Sequence, residues 1–146
     1  MEPIFWHNRW QTNQTGWHES TVNPLLIAHF PSLDIPPGKR VFVPLCGKSL
    51  DLGWFLSGGY TVAGAELSEL AVTQLFAELG MEPRISEVGQ HKLFRGEKID
   101  IFVGEILDLS REILGPVDAV YDRAALVALP EAMRVQYTAH LKVLTA

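Results

Sequence analysis

Residues 41–66, VFVPLCGKSLDLGWFLSGGYTVAGAE, open with an apolar run, Val41-Phe42-Val43-Pro44-Leu45, the length of a buried strand. A tight turn, Cys46-Gly47-Lys48-Ser49, follows it. Leu50, Leu52, Trp54, Phe55 and Leu56 then predict an apolar-faced helix that stops at Gly58-Gly59. A second strand, Tyr60 to Ala65, ends on an acid, Glu66. Strand, glycine turn, helix, strand and acid make the βαβ arrangement that holds a nucleoside. Glu66 stands about 20 residues beyond Gly47, where such an acid meets ribose hydroxyls.

Outward from this unit, a length of 146 residues predicts one domain, residues 1–146. A hydrophobic fraction of 47% with 20% charged residues is that of a soluble globular chain. The net charge is −5 and the basic residues are scattered. That argues against nucleic acid, which calls for a clustered basic face, and against an anionic membrane surface. No run approaches the roughly 18 apolar residues of a spanning helix. The first ten residues, MEPIFWHNRW, lack the charged start and apolar stretch of a signal peptide. The single cysteine, Cys46, excludes an intramolecular disulfide and fits a cytoplasmic location.

Upstream, residues 1–20 carry Trp6, Trp10 and Trp17, with Phe5 beside them. Trp6 and Trp10 are four apart and share a face of a short helix that Gly16 ends or turns. This stretch reads either as a hydrophobic plug for the sheet edge or as a lid whose tryptophan stacks on a flat or cationic ligand. Asn23-Pro24 predicts a helix start, with Leu25, Leu26, His29 and Phe30 facing inward and His29 packed rather than ligating. Pro31, Pro36, Pro37 and Gly38 close that helix.

Downstream, Ser68 is the expected cap of a helix carrying Val72, Leu75, Phe76 and Leu79 on one face and ending at Gly80. Residues 92–103 predict a β-hairpin around Gly96, whose second arm, Ile99 to Gly104, is the third core strand. Val117 to Tyr121 is the expected fourth strand, followed by Asp122-Arg123. A small apolar stretch, Ala124 to Leu129, precedes a last helix opened by Pro130 and Glu131, with Met133, Tyr137, His140 and Leu141 inward. Alternating strands and helices predict an α/β fold, a parallel Rossmann-like sheet with helices on both faces. The strand ends then bring Leu45 to Ser49, Glu66, Glu105 with Ile106, and Asp122 with Arg123 into one crevice.

Gly47-Lys48-Ser49 resembles the end of a phosphate loop, but the required glycine five residues before the pair is Phe42. A dinucleotide site needs three glycines, and only Gly47 is present in a turn filled by Pro44, Leu45 and Cys46. A bulky turn favours a ligand without pyrophosphate, and a nucleoside with an amino-acid tail such as S-adenosyl-L-methionine meets that demand. Cys46 has no nearby histidine signature, so a buried small residue is the better reading than a nucleophile. The five histidines show no metal-ligand spacing. Arg123 is either a surface or salt-bridged arginine or a crevice cation placed for an anionic sulfur or a carboxylate.

FWHNRWQTNQTGWH, VFVPLCGKSLDLGWF, GAELSELAV and YDRAALVAL together resemble the thiopurine S-methyltransferases over most of the chain, and the PLCGKSLD turn with its downstream AELSE is specific to them. The short N-terminal region is similar to that of the bacterial members. The resemblance implies a class I methyltransferase fold that uses S-adenosyl-L-methionine. It implies methyl transfer to the sulfur of aromatic or heterocyclic thiols such as thiopurines, with selenium and tellurium species, and hence tellurite resistance, as an extension. Carried over by motif, Trp10 covers the cofactor, Leu45 meets its methionine part, Glu66 holds the ribose, Ile106 lies near the adenine and Arg123 borders cofactor and substrate. The resemblance also implies further strands after the last helix, so a C-terminally truncated chain with an exposed Val117–Tyr121 edge is expected. A monomer acting on a small-molecule thiol is the expected state. A NAD-dependent oxidoreductase and a non-catalytic nucleoside-binding module are the competing expectations.

Overall fold

The computed structural model describes residues 3–12, 21–123, 125 and 129–145. Gly16 and Trp17 of the aromatic stretch, and Ala124 with residues 126–128, lie outside the described residues. In chain order the elements are α1 (Pro3–Gln11), α2 (Pro24–His29), a 3-10 turn (Phe30–Leu33), β1 (Arg40–Pro44), α3 (Leu50–Ser57), β2 (Thr61–Glu66) and α4 (Glu69–Leu79). There follow β3 (Arg84–Val88), β4 (His91–Gly96), β5 (Ile99–Val103), a 3-10 turn (Ile106–Asp108), α5 (Arg111–Leu114), β6 (Ala119–Val120) and α6 (Glu131–Leu144).

The sheet runs β3-β4-β5-β2-β1-β6. β1 pairs in parallel with β2 and β6, and β2 with β5, while β4 runs against both β3 and β5. The sheet is therefore mixed rather than parallel throughout. The hairpin centred on Gly96 forms as expected. β3 was not expected, because Arg84–Glu87 is exposed on both faces and carries no alternating apolar signal.

Successive strand residues face opposite layers. Val41, Val43, Val62, Ile99 and Ile101 pack under α2, α3 and α4 with Leu52, Phe55, Val72 and Phe76. Phe42, Ala63, Ala65 and Phe102 face the other layer, where Leu109, Leu114, Tyr137 and Leu144 cover them.

Each helix start has its reason in the sequence. Asn23 caps α2 through the Leu25 N–H, with Pro24 in the first turn. Ser68 caps α4 through the Ala71 N–H, and Gly80 ends it at φ 70°. Two expectations fail locally. Leu25 and His29 are exposed, because six-residue α2 buries only Leu26, with Phe30 one turn on. β6 is two residues, not five: at its start the Asp118 side chain accepts the Arg40 N–H at 2.8 Å, while the Asp118 and Tyr121 N–H groups still donate to the Arg40 and Phe42 carbonyls on either side of it.

Candidate functional site

Chain order reverses across the sheet between β1 and β6, since β2 and β5 lie on one side of β1 and β6 on the other. Ligands of such sheets sit beyond the carboxyl ends of the strands at this point. The bend after β1 is built for the position. Leu45 and Gly47 both take left-handed backbone, at φ 50° and 55°. The Cys46 N–H donates to the Ala65 carbonyl at 3.0 Å, and the Ser49 side chain caps α3 through the Asp51 N–H. A Cβ on Gly47 would stand 3.1 Å from the Trp10 ring, so a glycine is what lets α1 lay Trp10 on the bend. Trp10 is 5% exposed. Its place at the strand ends puts it on the wall of the cleft described below.

Cys46 is buried beneath the bend. A side chain on Gly64 would meet its Sγ at 2.9 Å. Burial, and then the Glu66 charge, push its thiol well above the usual range. It packs as a small core residue. Lys48 turns to Glu78 on α4, 3.3 Å away.

Glu66 closes β2, nearly buried at 6% exposure. The Gly47 N–H donates to Oε1 at 2.9 Å and the Ser68 N–H donates to Oε2 at 2.8 Å. The acid thus ties the bend to the start of α4, and the carboxylate keeps accepting capacity beyond these donors. Burial raises its pKa, and the backbone donors at Ser68, Gly47 and Leu67 oppose that rise without cancelling it.

Trp10, Leu45, Glu66, Ile106 and Arg123 all line one cleft of about 930 Å³, open solvent at its mouth included. Four sequence-distant loops therefore meet where the strand ends predict. The other walls are largely apolar, with Leu107, Leu129 and Met133 among them. Trp6 and Tyr137 also line it. The helical spacing of Trp6 from Trp10, and of Tyr137 from Met133, placed both on inner faces without marking them as site residues.

Two hydrogen-bond nodes tie sequence-distant segments together, the first of them at the cleft wall through Tyr137. Asp122 accepts from the Tyr137 hydroxyl at 2.8 Å and from the Ala125 N–H at 3.0 Å, fixing the turn that carries Arg123 against α6. Burial and the Asp122 bond push the Tyr137 phenol far up. Asp51, 2% exposed, accepts from the Asn23 N–H and the Tyr121 hydroxyl, both at 2.8 Å. Burial, with the Asp51 bond, pushes the Tyr121 phenol up to about 12. Neither node was foreseen from sequence, because its partners lie 15, 28 and 70 residues apart.

A family model described as Thiopurine S-methyltransferase matches residues 1–145. A protein of Xanthobacter autotrophicus named thiopurine S-methyltransferase is 57% identical over 146 residues, covering 99% of this chain and 68% of its own length. One of the same name from Teredinibacter turnerae is 53% identical, covering 97% of this chain and 65% of its own length. The chain thus spans about two thirds of the length of the curated relatives it matches. Among solved structures, the Burkholderia thailandensis 1,6-didemethyltoxoflavin-N1-methyltransferase, crystallised with S-adenosylhomocysteine, superposes with a TM-score of 0.68 at 16% identity. That match covers 98% of this chain and 56% of the other, and it shows the class I methyltransferase fold.

Proposed function

The chain belongs to the thiopurine S-methyltransferase family, and from that premise we propose that its cleft holds S-adenosyl-L-methionine for methyl transfer to the sulfur of aromatic or heterocyclic thiols such as thiopurines. The observation that carries it is the Glu66 carboxylate, buried at the end of β2 and bonded to the bend, in one cleft with Trp10, Leu45, Ile106 and Arg123.

The donor set fits this cofactor. Glu66 keeps accepting capacity that a ribose hydroxyl can use. Ile106 gives an apolar wall for the base, and Leu45 on its left-handed backbone borders the methionine part. The Trp10 ring suits a cation such as a sulfonium. When bound, the cofactor supplies a methyl group already activated on positive sulfur. The protein's share is proximity, alignment and exclusion of water. Arg123 favours the thiolate of the substrate, so no dedicated general base is required. Asp122 and Tyr137 keep its turn in place.

The largely apolar cleft suits a small-molecule thiol, and a monomer is the proposed state. Among the described residues no helix is long and apolar enough to cross a membrane. A net charge of −5 with scattered basic residues supports a partner list without nucleic acid, and a lone buried cysteine supports a cytoplasmic setting. Selenium and tellurium species are further proposed methyl acceptors, which the same assay can test.

The test is a radiolabelled methyl-transfer assay with mercaptopurine, run beside calorimetry with S-adenosylhomocysteine. Wild-type chain is expected to bind the latter, and Glu66→Ala to bind it at least about tenfold more weakly. Unchanged affinity in Glu66→Ala would remove the ribose role. Binding without transfer to any thiol would leave a nucleoside-binding module.

A further inference from the structure

His91 opens β4 and is 2% exposed. Its Nε2 lies 2.8 Å from the Glu105 carbonyl oxygen. A carbonyl only accepts, so Nε2 carries the proton and Nδ1 is the accepting nitrogen. Nδ1 is buried without a hydrogen-bond partner, the one such side-chain atom among the described residues. A buried polar atom left in this state is costly, and an apolar side chain of the same size would fill the space without that cost. Packing alone therefore does not account for a histidine here. The bond made by its other nitrogen does.

That bond lands on the wall of the cleft. Gly104, Glu105 and Ile106 all line it. The imidazole lies hard against Gly104, where a Cβ would come 2.6 Å from Cδ2. The Gly104 N–H donates to the Glu66 carbonyl at 3.0 Å, so the same segment is tied to the acid that closes β2. The Glu105 carbonyl also accepts the Asp108 N–H at 3.0 Å, so both of its lone pairs point into the protein. No peptide bond among the described residues is cis. In a trans peptide the C=O and N–H point in opposite directions. Holding the Glu105 carbonyl toward His91 therefore turns the Ile106 N–H of the same peptide away from the imidazole.

We propose that His91 is a positioning residue of the cleft: by holding the Glu105 carbonyl it fixes the 104–106 wall and presents the Ile106 N–H to a hydrogen-bond acceptor on the base of a bound purine nucleoside. His91 touches no ligand itself and acts through the peptide. The inference rests on the nucleoside reading of the cleft given above, and its test separates the two.

His91→Met removes the donor at similar bulk, and His91→Gln keeps an N–H donor at nearly the reach of Nε2. Two quantities are compared in each: the Kd for S-adenosylhomocysteine by calorimetry, and amide hydrogen exchange of residues 104–107 in the ligand-free protein. His91→Met is expected to weaken binding about tenfold and to speed exchange of that segment by a similar factor. His91→Gln is expected to restore both to near wild type, and transfer at saturating cofactor is expected to be unchanged in both. Wild-type exchange in His91→Met overturns the proposal, and so does a loss of binding that glutamine does not rescue. If His91→Met does not fold, His91→Gln decides: weakened binding or fast exchange in it counts against the proposal, wild-type values for it. If the wild-type chain binds no S-adenosylhomocysteine, the methyltransferase reading falls, while the exchange comparison still decides whether His91 holds the wall.

Discussion

Glu66 is asked to do two things at once. Its carboxylate ties the bend after β1 to the start of α4, and in the proposed complex it also accepts from the ribose. Burial raises its pKa, so the native state takes up a proton at higher pH than the unfolded chain does. Between the ordinary glutamate value and that raised value, the folded form binds more protons than the unfolded one. The stability of the ligand-free protein therefore falls as pH rises through this window. Affinity runs the other way, since an ionised Glu66 is the better acceptor. Calorimetry against pH is expected to show S-adenosylhomocysteine binding lost on acidification with a midpoint above the ordinary glutamate range, and Glu66→Gln to show a flat profile. A wild-type profile as flat as that of the variant would contradict the role. Gly47 gives a second test at this scale. Alanine there would need left-handed backbone and would press on the Trp10 ring at 3.1 Å. Gly47→Ala is expected to cost about 1–2 kcal/mol in urea unfolding and to weaken ligand binding as Trp10 is displaced. Equal stability with weakened binding would mean that the bend moves instead of the ring.

At the scale of elements, α6 lines the cleft with Met133 and Tyr137 and holds the turn that carries Arg123 through the Tyr137 hydroxyl, which donates to Asp122, itself the acceptor of the Ala125 N–H. Tyr137→Phe keeps the ring in the core and removes only that bond. It is expected to cost about 1–3 kcal/mol, the range for a hydrogen bond to a charged group. Methyl transfer should fall more than cofactor affinity, because the turn bearing Arg123 loosens while Glu66 and the bend are untouched. A kcat equal to wild type would show that Arg123 is held by other contacts. This link also shows what sequence can and cannot reveal. The β1–α3–β2 unit was legible because its apolar runs and its glycine turn are local signals, as is the Ser68 cap of the helix that follows, whereas the Ser49 cap of α3 was read only as part of the turn. The hairpin β4–β5 was legible through Gly96, and the five residues expected from motif and strand ends do share one cleft. β3 was hidden because an exposed edge strand needs no alternation. β6 was overextended at its start, where the Arg40 N–H goes to the Asp118 side chain instead of a strand carbonyl. Leu25 looked buried by spacing, but α2 is too short to present a broad inner face. Tyr137 with Asp122, and His91 with Glu105, depend on which loops the finished sheet brings together, and nothing local encodes that.

For the molecule as a whole, the two sheet edges differ in kind. β3 carries Arg84 and Glu87 on an exposed strand, and charge along an edge discourages pairing with another chain. β6 pairs with β1 through only Ala119 and Val120, and Val120 is 41% exposed on the open side of the sheet. On α6, Val135 and Val143 are exposed as well, at 71% and 60%. An exposed apolar residue on a strand whose outer side has no partner among the described residues favours aggregation, because backbone donors and acceptors and hydrophobic area are offered together. Association of the 146-residue chain on heating or at high concentration should therefore start at β6 and leave β3 uninvolved. Val120→Lys places a charge on that edge without touching the cleft. It is expected to raise the temperature at which light scattering begins, with S-adenosylhomocysteine affinity unchanged. Ile85→Lys on β3, where Ile85 is 55% exposed, is expected to leave that onset where it is. The reverse outcome, a shift with Ile85→Lys and none with Val120→Lys, would mean that the Arg84 and Glu87 charges do not protect β3, and that the molecule associates through the hairpin edge.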